Sequence, residues 1–165
     1  MRRKSHVFWP VSLCLVLADC ASKRLAVEHL GVPSASREVV GSVLRFTLAY
    51  NRGTAFGLMP GPASRAALIV LTAATLVVLV RLYQRVPASD GGQALALALI
   101  VGGAVGNLTD RVRSASGVVD FIDAGAGPIR FYIFNVADIG VTLGAALLAV
   151  LLWRRGGHRR RHTTA

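Results

Sequence analysis

A handful of polar side chains stand in or beside the long apolar runs of this 165-residue sequence: Asp19 and Lys23, Asn107, Asp110 and Arg111, Asp120, and Asn135 and Asp138. Ionisable groups at membrane depth are costly unless they pair or line a cavity, so each is a candidate for function. The chemistry they offer is that of carboxylates, which serve as general bases or acids. Other chemistries are poorly served. His6, His29, His158 and His162 are scattered without ligand spacing, which argues against a metal site. Ser22 and Lys23 suggest a serine–lysine pair, but adjacent helical residues point about 100° apart. No G-x-S-x-G nucleophile elbow occurs. Cys14 and Cys20 lie about 240° around the axis from one another on one helix and cannot bridge each other.

The elements that must position these residues are hydrophobic helices. The chain is 53% hydrophobic and 16% charged, with a mean hydropathy of +0.54, a balance that argues for an all-α membrane class. Four stretches approach bilayer length, about 7–26, 66–83, 93–108 and 136–153, and together imply a single integral membrane domain. The net charge of +11 does not point to nucleic acid, because the basic residues cluster at span ends: Arg2, Arg3 and Lys4; Arg81 and Arg85; and Arg154, Arg155 and Arg159 to Arg161. An even number of spans puts both termini on one side, and the dense terminal clusters make that side cytoplasmic. Arginines such as Arg37, Arg45, Arg52, Arg65 and Arg130 fall on the outward side, so the raw count is nearly even; the short terminal segments decide the assignment. Met1 to Lys4 followed by an apolar run resembles a cleavable leader, but Asp19 sits where such a site needs a small neutral residue, so the first span reads as retained.

Between the spans, the outward loop 27–62 contains a strand-like stretch from Val43 to Tyr50, then turn-forming residues from Asn51 to Gly57 and a break at Met59 to Pro62. The loop from Arg85 to Gly92 is short and makes spans two and three an antiparallel pair. A second outward segment, 111–134, carries a turn at Gly125 to Pro128, and the basic tail 154–165 reads as disordered.

Helical rise then sets depth. Counting from Val7, Asp19 lies about 18 Å and Lys23 about 24 Å across a core of about 30 Å. Asn107, Asp110 and Arg111 end the third span at the same boundary, and Asn135 and Asp138 begin the fourth there. A shared polar site explains the common level. Each residue also has a plainer reading. Lys23 can snorkel with Asp19 as its i,i+4 companion, and Arg111 can be an interfacial anchor. Asp138 stands three residues after Asn135, the spacing of a helix N-cap with an acidic residue at N3. Asp120 can be a loop residue like its neighbour Asp123, which reads as solvated.

Taken together, the segments Asp19-Cys-Ala-Ser-Lys23, Asn51-Arg-Gly-Thr-Ala-Phe-Gly57, Gly106-Asn-Leu-Thr-Asp-Arg111, Val118-Val-Asp-Phe-Ile122 and Phe134-Asn-Val-Ala-Asp138 resemble, in order, the motifs of the bacterial lipoprotein signal peptidases, or signal peptidase II. Ser22 replaces the threonine common in that family and keeps the hydroxyl. The resemblance implies a four-transmembrane-helix bundle with a small extracytoplasmic β-cradle and an interfacial helix, in the bacterial cytoplasmic (inner) membrane with the site near the outer face. It implies a catalytic pair on Asp120 and Asp138. Supporting or substrate-binding roles fall on Asp19, Lys23, Asn51, Gly53, Asn107, Asp110, Arg111 and Asn135. The implied reaction is aspartic endopeptidase cleavage of prolipoproteins just before a diacylglyceryl cysteine, with membrane lipids as surroundings and without metal, cofactor or nucleic acid. A transporter using the carboxylates as a proton or cation relay is the rival, but its charges belong near the midplane. A non-catalytic membrane scaffold is a second rival.

Overall fold

A computed structural model describes residues 2–53 and 62–161. Thr54 to Gly57 of the second motif, and the break at Met59 to Gly61, lie outside the described residues. Among the described residues there are four helices: α1 (Arg2–Leu30), α2 (Pro62–Arg85), α3 (Gly91–Arg113) and α4 (Val136–Arg161). Each contains a window long and apolar enough to cross a bilayer. All four overrun the ends set by hydropathy, because backbone hydrogen bonding continues where apolarity stops. The clearest case is α4, which stays helical to Arg161 through residues expected to be disordered; arginine is a good helix former and favours a helix C-terminus.

The bundle is built around α3, which packs on α1, α2 and α4. Glycines make that closeness possible. A Cβ on Gly103 would stand 2.3 Å from the backbone oxygen of Ala137 on α4, and one on Gly102 would stand 2.9 Å from that of Ser12 on α1. Small residues of this kind let helix backbones approach where lipid offers no hydrophobic drive to associate. Ser12 Oγ adds a buried bond to the Ala98 carbonyl at 3.0 Å. At the end of the bundle remote from the motifs, Phe8 stacks on Tyr83 at 3.8 Å between ring centroids. There Lys4 Nζ donates to the carbonyls of Tyr83, Gln84 and Val86, satisfying acceptors at the end of α2. Asp90 caps α3 by accepting from Gln93 N at 3.0 Å and pairs with Arg155 of α4.

At the other end lies a four-stranded antiparallel sheet in the order β1 (Ser36–Val40), β2 (Leu44–Asn51), β3 (Val118–Ala126), β4 (Ile129–Arg130). The strand-like stretch from Val43 is thus β2, and the predicted turn at Gly125 to Pro128 joins β3 to β4. Alternation was unreadable in β1, which is exposed throughout. Among the described residues there is no separate interfacial helix. A register shift between Phe46 and Ala49 of β2 sits opposite Ile122 and Asp120 of β3; such bulges bend a strand and re-aim its side chains. Asp123 departs from its expected solvated state. It pairs with Arg130 Nη2 at 2.8 Å and accepts from Thr47 Oγ1 at 3.1 Å, because the β3–β4 hairpin folds the arginine back over its own strand.

Candidate active site

The site forms where β3 meets the first turn of α4. Backbone bonds from Phe121 N and Ile122 N to the Phe134 carbonyl, answered by Phe134 N to the Ile122 carbonyl, bind the approach to α4 alongside β3. Asp120 and Asn135 are thereby brought together, and Asn135 Nδ2 donates to Asp120 Oδ1 at 2.6 Å. The cap foreseen at Asn135 is complete and reciprocal. Asp138 N donates to Asn135 Oδ1 at 3.0 Å, and Asn135 N donates to Asp138 Oδ2 at 3.1 Å. The far oxygen of Asp138 accepts from Asn107 Nδ2 of α3 at 2.8 Å, while Asn107 Oδ1 accepts from Asn135 Nδ2 at 3.1 Å. Two amides therefore link the two carboxylates without a gap.

A buried ion cluster supports this layer from α1. Lys23 Nζ reaches Asp19 Oδ2 at 2.7 Å, Asp110 Oδ2 at 2.8 Å and Asn107 Oδ1 at 2.9 Å. With its side chain 4% exposed, Lys23 is a three-way ligand inside the protein rather than a snorkelling cation. Asp19 is fully buried. Its Oδ1 accepts from Ala137 N at 2.9 Å, which satisfies one of the free amides at the start of α4. It lies so close to α3 that a Cβ on Gly106 would stand 2.5 Å from its Oδ2. Asp110 also accepts from Val119 N at 3.3 Å, fixing the start of β3. Arg111 Nη1 donates to the Asn107 carbonyl at 3.3 Å, and the guanidinium feels the charges of Asp138, Asp120 and Asp110. Its Nε has no hydrogen-bond partner among the described residues.

Asn51, at the end of β2, is near enough to Asp120 to favour its charged form and accepts from Gly53 N at 2.9 Å. Gly53 holds φ at +96°, a conformation that L side chains rarely adopt. All ten residues singled out for the site fall in or beside this one cluster, with Gly53 at its margin. Sequence reasoning missed Arg65, whose Nε and Nη2 donate to the Arg111 and Val112 carbonyls at 2.7 and 3.1 Å and cap the end of α3 from α2. The depth argument could have found it, since Arg65 opens the second span at the level where the third ends.

The surroundings of Asp120 alter its own titration. Burial, aided by the neighbouring charge of Asp138, pushes the Asp120 carboxyl from the usual 3.8 up to about 6, against the opposing pull of the Asn135 and Asn51 side chains and the charge of Lys23. Among the described residues, no three His, Cys, Asp or Glu side chains are grouped to hold a metal ion. Two carboxylates linked by amides, one of them holding its proton to higher pH than a free carboxyl does, can perform general acid and base chemistry on water.

The sequence profile described as "Signal peptidase (SPase) II" matches residues 11–154. The chain belongs to the signal peptidase II family. It is 39% identical over 145 residues to the lipoprotein signal peptidase of Halothermothrix orenii, covering 88% of this chain and 94% of that one. The lipoprotein signal peptidase of Streptomyces coelicolor is 38% identical over 158 residues, covering 93% and 73% respectively. A bacterial membrane enzyme structure determined by the in meso method at 2.3 Å resolution superposes with a TM-score of 0.80 at 29% identity, covering 90% of this chain and 88% of the other. A second, determined at 1.9 Å, gives 0.76 at 30% identity, covering 86% and 89%. The family makes the chain a protease, and its four apolar helices make it a multi-pass membrane protein. Within this signal peptidase the family's motifs and the polar cluster coincide.

Proposed function

We propose that this signal peptidase is an aspartic endopeptidase that removes signal peptides from prolipoproteins, cutting just before a diacylglyceryl cysteine with Asp120 and Asp138 as its catalytic pair. The supporting observation is the continuous chain of side chains from Asp120 through Asn135 and Asn107 to Asp138, built from three separate elements. Asp138, fixed by Asn107 and the Asn135 amide at the positive end of α4, acts as the base and takes a proton from the attacking water. Asp120, whose affinity for a proton is raised by burial, acts in its protonated form: it hydrogen-bonds to the scissile carbonyl as negative charge develops there, and then gives its proton to the departing amine. No covalent intermediate arises. Lys23 holds Asn107 in register.

The lipid requirement is supported by the relatives, which are lipoprotein signal peptidases, and by the chemistry of the surroundings. A largely apolar groove of about 500 Å³ runs between the end of α1 and the sheet, lined by Leu25, Ala26, Leu30, Val39, Phe46 and Phe121 among others. Adjacent strand residues face opposite sides, so β3 gives Asp120 to the polar cluster and Phe121 to this groove. An acyl chain suits such a lining. Purified protein incubated with a diacylglyceryl-modified precursor and its unmodified counterpart tests the whole reading by mass shift. Cleavage is expected only of the modified form, and Asp120→Asn or Asp138→Asn should each reduce it by at least about 10²-fold, within the range typical of general acid–base groups. Ordinary turnover by either folded variant removes the pair from the mechanism.

A further inference from the structure

Beyond the site, the sheet carries large apolar residues that stand exposed among the described residues. Val40 and Val43 in the β1–β2 connection are 60% and 56% exposed, and Ile129, Phe131 and Tyr132 after the β3–β4 turn are 78%, 68% and 80% exposed. They are neighbours through the backbone: Gly125 N donates to the Val43 carbonyl, and Phe131 N donates to that of Ala124, next along the same strand. Of the charged side chains near them, Arg130 is engaged with Asp123 and Arg45 with Glu38. Apolar side chains contiguous to this extent mark a contact surface.

Chain connectivity says what covers it. Tyr132 precedes the α4 cap residue Asn135 by three positions, and α4 enters the bilayer from there. A fully extended chain spans at most about 3.5 Å per residue, so Tyr132 and Phe131 lie within roughly 15 Å of the membrane boundary. The polar headgroup layer beside the hydrocarbon core is itself about 5–8 Å deep. Aromatic residues favour that layer, where a ring meets acyl chains and a phenol hydroxyl meets water. Phe131 packs edge-on against both Tyr132 and Phe134, which presents the rings as one unit.

We propose that Ile129, Phe131 and Tyr132, with Val40 and Val43 beside them, form a lipid-seated foot that holds the sheet against the headgroup layer of the leaflet nearest the polar cluster. The partner is the bilayer itself, and the foot sets the height of β3, and so of Asp120, above the membrane. The proposal does not depend on the catalytic assignment. Replacing Trp9 and Trp153 by Phe leaves a background free of tryptophan, into which Tyr132→Trp and, separately, Ile129→Trp are introduced. The proteins are reconstituted into phosphatidylethanolamine–phosphatidylglycerol vesicles, with and without lipids brominated near the headgroup end of the acyl chain. Blue-shifted emission that loses intensity with the brominated lipid is expected from both probes. Water-like emission quenched by iodide and indifferent to bromine overturns the proposal. So does a blue shift that follows protein density or added signal peptide without bromine quenching, since another chain would then be the cover. Retained thermal unfolding of each variant certifies that the probe reports a folded protein.

Discussion

Asn107 and Asn135 each face partners on both sides of their amides, and those partners leave one orientation open. Lys23 Nζ can only donate, so Asn107 must turn its oxygen to the lysine and its Nδ2 to Asp138. Asp138 N can likewise only donate, so Asn135 turns Oδ1 to it and Nδ2 to Asp120. Charge on Lys23 is in this way converted into a directed hydrogen bond on Asp138 two residues away in the network. The Asp120 carboxyl titrates at about 6, against an ordinary 3.8, with burial the first cause and Asp138 the second. A folded chain that binds a proton which the unfolded chain has lost becomes less stable as pH rises through that interval. The thermal midpoint in detergent should therefore fall between about pH 4 and pH 6 more steeply for the wild type than for Asp120→Asn; parallel curves would show that Asp120 is not the group responsible. In Asp138→Asn the second cause is gone, so the carboxyl signal of Asp120, followed by isotope-edited infrared spectroscopy, should titrate at lower pH. These residues were visible in the sequence because charges inside apolar runs have few explanations. Their pairings were not, because Asp120 is joined to Asn135 by strand pairing that no local pattern encodes.

At the scale of elements, the site depends on how closely α3 approaches α1 and α4. Gly103 faces the Ala137 carbonyl, which belongs to the same turn of α4 that Asp19 and Asn135 cap. A methyl group there meets backbone rather than a movable side chain, so Gly103→Ala must push α4 outward. Overpacking of this kind costs about 1–3 kcal/mol, and the displaced cap should reduce turnover as well. Gly91→Ala, at the start of the same helix with nothing within 4 Å of the added Cβ, should leave both unchanged. Equal midpoints for the two variants in thermal unfolding would rule out the close approach as a determinant. Hydropathy located the four helices from composition alone, since a span is a local property. It ended each one short, and it gave no hint of β1, whose five residues are all exposed and so carry no buried face to read. Asp123 was misjudged for a related reason. Its partner Arg130 reaches it only after the chain has turned through Gly127, a tertiary event in a segment whose composition resembles a surface loop.

For the whole molecule, polar interactions are divided between two ends with different duties. One end holds Lys4 on the α2 terminus and Arg155 on Asp90, contacts that bring together both chain termini and the α2–α3 turn. The other holds Asp19, Lys23, Asp110, Asp120 and Asp138 with the sheet above them. A relay for ions would need titratable groups continuing through the bundle, whereas the buried core between the two ends runs from Phe8 and Leu79 at the first end through Leu97 and Ala98 to Val101, all apolar. The basic clusters Arg2 to Lys4, Arg81, Arg85 and Arg154 onward all belong to the first end, and positive charge is retained on the cytoplasmic side. On that rule the orientation to expect has the sheet and the polar cluster on the outer side of the membrane and the first end on the inner side. Impermeant maleimide labelling of intact spheroplasts reads this directly, in a background with Cys14 and Cys20 replaced by Ala. Ser42→Cys, in the exposed β1–β2 connection, should label at once, and Ser89→Cys, in the exposed α2–α3 turn, only after permeabilisation. The reverse pattern would place the polar cluster in the cytoplasm, where no translocated precursor could meet it.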